Sequence, residues 1–138
     1  GAGVEQGDIG MEVERRGVDL VLATEARLGR TPHEQAFNNP GFDVLSYPGD
    51  NELPIRIEVK ARILGAKDFF ITNNEIVTGK NTAPRYRLAL VSVDPRGAEH
   101  DQIRYLDDPF ADIDMGGFDA MGVRADWAKN WKKGEESF

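Results

Sequence analysis

The segment from Ile55 to Arg62 constrains the fold of this 138-residue chain more than any other. Ile55, Ile57, Val59 and Ala61 point one way, and Arg56, Glu58, Lys60 and Arg62 the other, which is the strict alternation of a β-strand. Upstream, Phe42 to Tyr47 reads as a second strand, and the run Pro48-Gly49-Asp50-Asn51-Glu52-Leu53-Pro54 reads as the turn between them. With the turn centred between Asp50 and Asn51, Phe42 falls opposite Val59 and Val44 opposite Ile57. A slip of one residue would set Phe42 against Lys60 and Val44 against Glu58, and the core face would be lost. The hydrophobic pattern selects one register, and that register puts Asp43 across from Glu58.

Directly opposed side chains have Cβ atoms about 4.5–5.5 Å apart, where like charges destabilise a sheet. Aspartate is also a poor strand former. A hard divalent cation gives such a pair a reason, because magnesium takes one or two carboxylates, keeps several waters and leaves room for a substrate phosphate. Lys60, two residues beyond Glu58, emerges from the same face of the strand and can orient an attacking water or stabilise charge on the phosphate. The pattern proposes phosphodiester hydrolysis assisted by Mg2+ or Mn2+. Glu-Xaa-Lys by itself is a common solvated face of a sheet, so the opposed Asp43 carries the inference.

The remaining pattern places these strands in an α/β domain. A helix is expected from about Ile9 to Leu28, with Val18, Val21, Leu22, Glu25 and Leu28 on one face. Glu25 therefore sits inside the apolar stripe, where a carboxylate is costly unless it is paired or reaches outward; Asp19 lies on the stripe's flank. Gly29 stops the helix, and a loop is expected from Thr31-Pro32 through Asn38-Asn39-Pro40-Gly41. A third strand follows at Phe69-Phe70-Ile71. Thr72-Asn73-Asn74-Glu75 then has the spacing of a capping box, opening a short helix that ends near Gly79. Tyr86 to Val93 suits a strand buried on both faces, and Ile103 to Leu106 another. Beyond Asp107-Asp108-Pro109 the pattern loosens, with a loop at Met115-Gly116-Gly117 and a helix from Ala125 to Lys133. The αβββαβ order implies a mixed β-sheet flanked by helices. One domain over 1–138 is expected, with its core at about 9–110 and 111–138 as a C-terminal extension.

Hydrophobic residues make up 40% of the chain and charged residues 30%, the balance of a globular protein. No run approaches the roughly 18 apolar residues of a membrane span, and no secretion signal is evident. The absence of cysteine excludes disulfides, thiol nucleophiles and cysteine zinc sites, and a cytoplasmic location fits best. The start Gly1-Ala2-Gly3, without methionine, reads as a piece of a larger protein. The formal charge of −7 repels phosphate at long range. A domain of this kind that acts on nucleic acid needs delivery by another part of its protein, or cations that offset its carboxylates.

The order of a helical acid, then Asp43, then Glu58-Val59-Lys60 resembles the PD-(D/E)xK nuclease superfamily. Separate blocks carry a closer likeness over about residues 16–110: Glu25-Ala26-Arg27-Leu28-Gly29-Arg30, Gly41-Phe42-Asp43-Val44-Leu45-Ser46, Ile57-Glu58-Val59-Lys60-Ala61-Arg62, Ile71-Thr72-Asn73-Asn74-Glu75, Leu88-Ala89-Leu90-Val91 and Arg104-Tyr105-Leu106-Asp107-Asp108-Pro109-Phe110. These are similar to the domain related to the C-terminal domain of the plant protein NO VEIN, often found at the end of large bacterial helicases, some in defence or restriction settings. The resemblance implies a restriction-endonuclease-like fold, with Asp43, Glu58 and Glu25 as the acidic positions at a metal. Phe42 stands where the superfamily's name-giving proline would be. Relatives tend to carry Glu where this chain has Asp19, which leaves the choice of helical acid between Asp19 and Glu25 open.

These readings imply a Mg2+-dependent DNA nuclease domain working in cis with a helicase or translocase. Asp43 and Glu58 bind metal, Lys60 assists the water or the phosphate, and Glu25 orders water at the metal. A homodimer is compatible with this. The alternative is a catalytically inactive nuclease-fold module that binds DNA or a protein partner. Glu75 is assigned to the helix cap, although Thr72 and Asn73 stay close enough to approach the site. His33 and His100 are isolated, and Asp107, Asp108, Asp112 and Asp114 form a solvated acidic loop. Trp127 and Trp131 suit a helix pinned to the core, or single-strand stacking beside Lys129, Lys132 and Lys133. Arg15, Arg16, Arg27 and Arg30 give the first helix a basic surface for phosphate.

Overall fold

The computed structural model describes residues 8–39, 41–111 and 121–136. In chain order the elements are α1 (Asp8–Arg27), β1 (Thr31–Glu34), β2 (Val44–Tyr47), β3 (Ile55–Ile63), β4 (Asp68–Thr72), α2 (Asn73–Thr82), β5 (Tyr86–Val93), β6 (Gln102–Asp107), β7 (Gly122–Asp126) and α3 (Trp127–Lys133). Among the described residues, five strands form a mixed sheet in the order β1-β2-β3-β5-β6, parallel between β3 and β5 and antiparallel elsewhere.

The hairpin has the register its apolar pattern selects. Val44 lies opposite Ile57, and Ser46 opposite Ile55. Asp43 continues the pairing, its N–H donating to the Ile57 carbonyl at 2.9 Å. One face of the sheet carries Val44, Ile57, Val59, Ala89, Val91 and Tyr105 and is covered by α1 through Val18 and Val21. Gly17 lets that helix approach, because a Cβ there would come within 2.6 Å of the Ala61 Cβ. The opposite face presents Leu88, Leu90 and Leu106, packed under Phe69, Ile71, Ile76, Phe110 and Trp127. Both faces are buried because β3 and β5 pair in parallel, with chain crossing over between them.

Three expectations change. Thr31–Glu34 is a strand rather than loop; it pairs with β2 from Thr31↔Tyr47 to Glu34↔Val44. Its residues are largely exposed and its Pro32 is tolerated on an edge, so no alternation marks it. The third strand expected in the sheet, β4, leaves it and pairs antiparallel with β7, a strand the loose C-terminal pattern hid. The last helix begins at Trp127, since Asp126 serves as its N-cap by accepting from the Lys129 N–H at 2.8 Å. The Met115-Gly116-Gly117 loop lies outside the described residues, as do Asp112 and Asp114. No described helix is long and apolar enough to cross a membrane.

Trp127 packs edge-on to Phe69 with ring centroids 5.8 Å apart, and Trp131 stacks on Trp127 at 5.7 Å. Arg104 lies 4.9 Å over the Trp131 ring and donates to its carbonyl at 2.9 Å. The two tryptophans pin α3 to the core.

Candidate active site

Three of the four expected site residues converge on one face of the sheet. Glu58 and Lys60 project from β3 on the side opposite α1, beneath β4 and α2. Their side chains are only 1% and 6% exposed, so this is no solvated face. Asp43, half-buried at the mouth of β2, turns its Oδ2 to accept from the Val59 N–H at 2.8 Å. Gly41 makes the approach to Asp43 possible. Its φ of 91° suits glycine, any Cβ would strike Thr78, and its carbonyl accepts from the Tyr86 hydroxyl at 2.8 Å.

A third carboxylate completes the group. Glu75, at the start of α2, has the capping box its sequence announces: its N–H donates to Thr72 Oγ1 at 3.2 Å, and its Oε1 accepts from the Thr72 N–H at 2.9 Å. The same Oε1 accepts from Lys60 Nζ at 2.7 Å. Lys60 Nζ is also 3.4 Å from Glu58 Oε2. Sequence reasoning set Glu75 aside because the cap explained it. Its buried position beside the strand of Lys60 was the missing signal.

Burial governs the electrostatics. It pushes the Glu58 carboxyl well above its ordinary range; Lys60 works against this, while Asp43 and Glu75 add to it. Burial also opposes the charge on Lys60, but Glu58, Glu75 and Asp43 outweigh it and hold the ammonium above its usual value. The Tyr86 hydroxyl is raised by burial first and then by the same three carboxylates. Glu58 Oε2 and Glu75 Oε2 are buried without a hydrogen-bond partner. Buried carboxylate oxygens need a donor or a cation, so the donor set fits a hard cation. Among the described residues no three acidic or imidazole groups form a ready-made metal cage. One or two carboxylates are what magnesium ordinarily takes from protein.

Glu25 is not brought to this cluster. It lies on the α1 face, fully buried, where its carboxylate accepts from Arg30 at 2.7 and 2.9 Å and from the Tyr105 hydroxyl at 2.9 Å. Burial opposes its ionisation, but Arg30, Ser46 and Tyr105 hold its carboxyl below the usual range. Asp19 is exposed and paired with Arg15 at 2.9 Å. The basic surface of α1 is largely neutralised within the molecule: Arg15 also binds Glu34, Arg16 binds Asp101, and Arg30 binds Glu25. Asp107 pairs with Arg87 at 2.8 Å.

Residues 13–106 match the family described as Protein NO VEIN, C-terminal. The chain belongs to this family. No curated protein sequence matches this member of the NO VEIN C-terminal family. Among solved structures it is similar to Hjc, a Holliday junction resolvase from the archaeal hyperthermophile Archaeoglobus fulgidus. The TM-score is 0.57 and the identity 16%, over 88% of this chain and 94% of that one. At that identity the likeness establishes the fold. This family member has the restriction-endonuclease-like fold of Hjc.

Proposed function

We propose that this domain is a divalent-metal-dependent DNA nuclease that hydrolyses phosphodiester bonds. The observation that carries the reading is the buried Glu58 Oε2, left without a hydrogen-bond partner beside Asp43 and Lys60 on a nuclease fold. In this reading Asp43 and Glu58 hold Mg2+ or Mn2+. The cation supplies Lewis-acid stabilisation of phosphate charge and lowers the pKa of a water. Lys60 donates from Nζ to the attacking water or to a phosphate oxygen, and the half-buried Asp43 marks the side from which substrate enters. Glu25, tied to Arg30 across the sheet, supports the fold and takes no part at the metal.

The charge of −7 and the engaged arginines of α1 and the turn after it argue against unaided capture of DNA. A helicase or translocase in cis, in a DNA-processing or phage-defence protein, would deliver substrate, and a homodimer would cut both strands. The same acidity favours a second reading, a module that keeps the nuclease fold and binds DNA or a protein partner without cleaving. A cleavage panel separates the two: linear duplex, single strand, four-way junction and RNA, each with Mg2+, Mn2+ or chelator. Metal-dependent cutting by the parent and none by Asp43→Asn supports the nuclease. Full activity of Asp43→Asn removes the assignment, and an inert parent on every substrate favours the binding module.

A further inference from the structure

We infer that Glu75 is the positioning residue of Lys60, and that by holding the ammonium it keeps Glu58 open to a cation. This rests on the metal-dependent reading above. Lys60 Nζ is hydrogen-bonded to Glu75 Oε1 at 2.7 Å but stands 3.4 Å from Glu58 Oε2, beyond the usual hydrogen-bond range. The Glu75 oxygen is itself fixed by the Thr72 N–H at 2.9 Å, so the ammonium is referenced to the junction of β4 and α2 rather than to its own strand.

Helix capping does not account for the charge. A capping box accepts glutamine as well as glutamate at this position, and a fully buried carboxylate is costly without a counter-charge. Lys60 supplies that counter-charge. An ammonium only 6% exposed is poorly placed to trade a lost partner for bulk water; deprived of Glu75, its nearest carboxylate is Glu58, whose unpartnered Oε2 it would then occupy. The lysine and the cation would compete for one oxygen. Glu75 removes that competition while leaving Lys60 beside the reacting phosphate.

The experiment has a metal-free arm and a metal arm. Glu75→Gln preserves the cap and is expected to fold. In metal-free protein carrying ¹⁵N-lysine, the buried Lys60 ammonium gives a slowly exchanging signal in the parent. The signal keeps its chemical shift in Glu58→Gln and in Thr72→Ala, which weakens the cap but leaves the carboxylate; in Glu75→Gln it moves to a new position as the ammonium turns to Glu58, and it disappears in Glu58→Gln/Glu75→Gln. In the metal arm, Mn2+ calorimetry shows Glu75→Gln weakened by about tenfold or more, and Lys60→Met/Glu75→Gln returned to the affinity of Lys60→Met alone. An ammonium signal unshifted in Glu75→Gln overturns the inference. So does a double variant that stays as weak as Glu75→Gln, which would make Glu75 a ligand or a purely structural acid. A parent that binds no Mn2+ sinks the metal reading, while the ammonium signal still decides what holds Lys60.

Discussion

Replacing Lys60 by methionine probes the buried charge cluster through stability alone. The methionine keeps most of the stem and removes an ammonium that lies 2.7 Å from Glu75 and 3.4 Å from Glu58. Two carboxylates then face each other in the protein interior with no cation between them. Breaking a buried ion pair from one side costs about 3–5 kcal/mol, a large share of the roughly 5–15 kcal/mol that holds a domain folded. With a urea dependence of about 1–3 kcal/mol per molar, the midpoint falls by more than about 1 M. Acid relieves the loss: a proton on Glu58, whose carboxyl burial already pushes up, restores neutrality. The assay is urea unfolding of metal-free protein followed by circular dichroism, at about pH 8 and about pH 5, with the loss expected to shrink by about half or more at the lower pH. A loss under about 1 kcal/mol at pH 8 would put Lys60 in solvent, as for an ordinary surface pair, and would refute the reasoning. Glu-Xaa-Lys read from sequence as a common solvated face would lose little on removal of its lysine; the burial of Lys60 reverses that.

The pH profile of the metal-free parent follows from Glu58, whose folded carboxyl is raised above the value of 4.5 it has unfolded. Its stabilising share is fully present below about pH 4.5 and is lost as pH rises through the folded value, so added Mg2+ should raise Tm more at pH 8 than at pH 6. Glu25→Gln should lower stability by about 1–3 kcal/mol by stranding Arg30, yet leave Mn2+ affinity measured by calorimetry unchanged; a lost metal site would return Glu25 to the centre. Trp131→Ala removes the stack on Trp127 and the Arg104 contact, so Tm should drop while single-strand affinity in a gel shift at low salt stays constant. Gly17→Ala should cost about 1–3 kcal/mol by pushing α1 off Ala61, read from urea unfolding.

The hairpin was legible because its apolar faces leave one register that buries them, and Asp43 came opposite Glu58 as a by-product. Strands with weaker periodicity were not legible: β1 is an exposed edge containing Pro32, and β7 pairs, among the described residues, with β4 outside the main sheet. The parity that reveals Glu58 and Lys60 also bears on Glu25. The apolar stripe of α1 covers the Ile57–Val59 face, so a carboxylate in that stripe looks away from Glu58. Arg30, just beyond the helix stop at Gly29, is the partner that makes its burial tolerable. Glu75 was masked by its own success as a cap, since nothing in Thr72-Asn73-Asn74-Glu75 tells that the same oxygen also receives Lys60 from fifteen residues away.

The most direct test of a cation held by Asp43 and Glu58 is Mn2+ calorimetry in two buffers of different ionisation enthalpy, on the parent and on Asp43→Asn. Metal ligands must be deprotonated, so the expected result is binding by the parent with proton release, drawn from Glu58, that grows as pH is lowered, and loss of both in Asp43→Asn. Equal binding by the two proteins, or binding with no proton released at any pH, would contradict it.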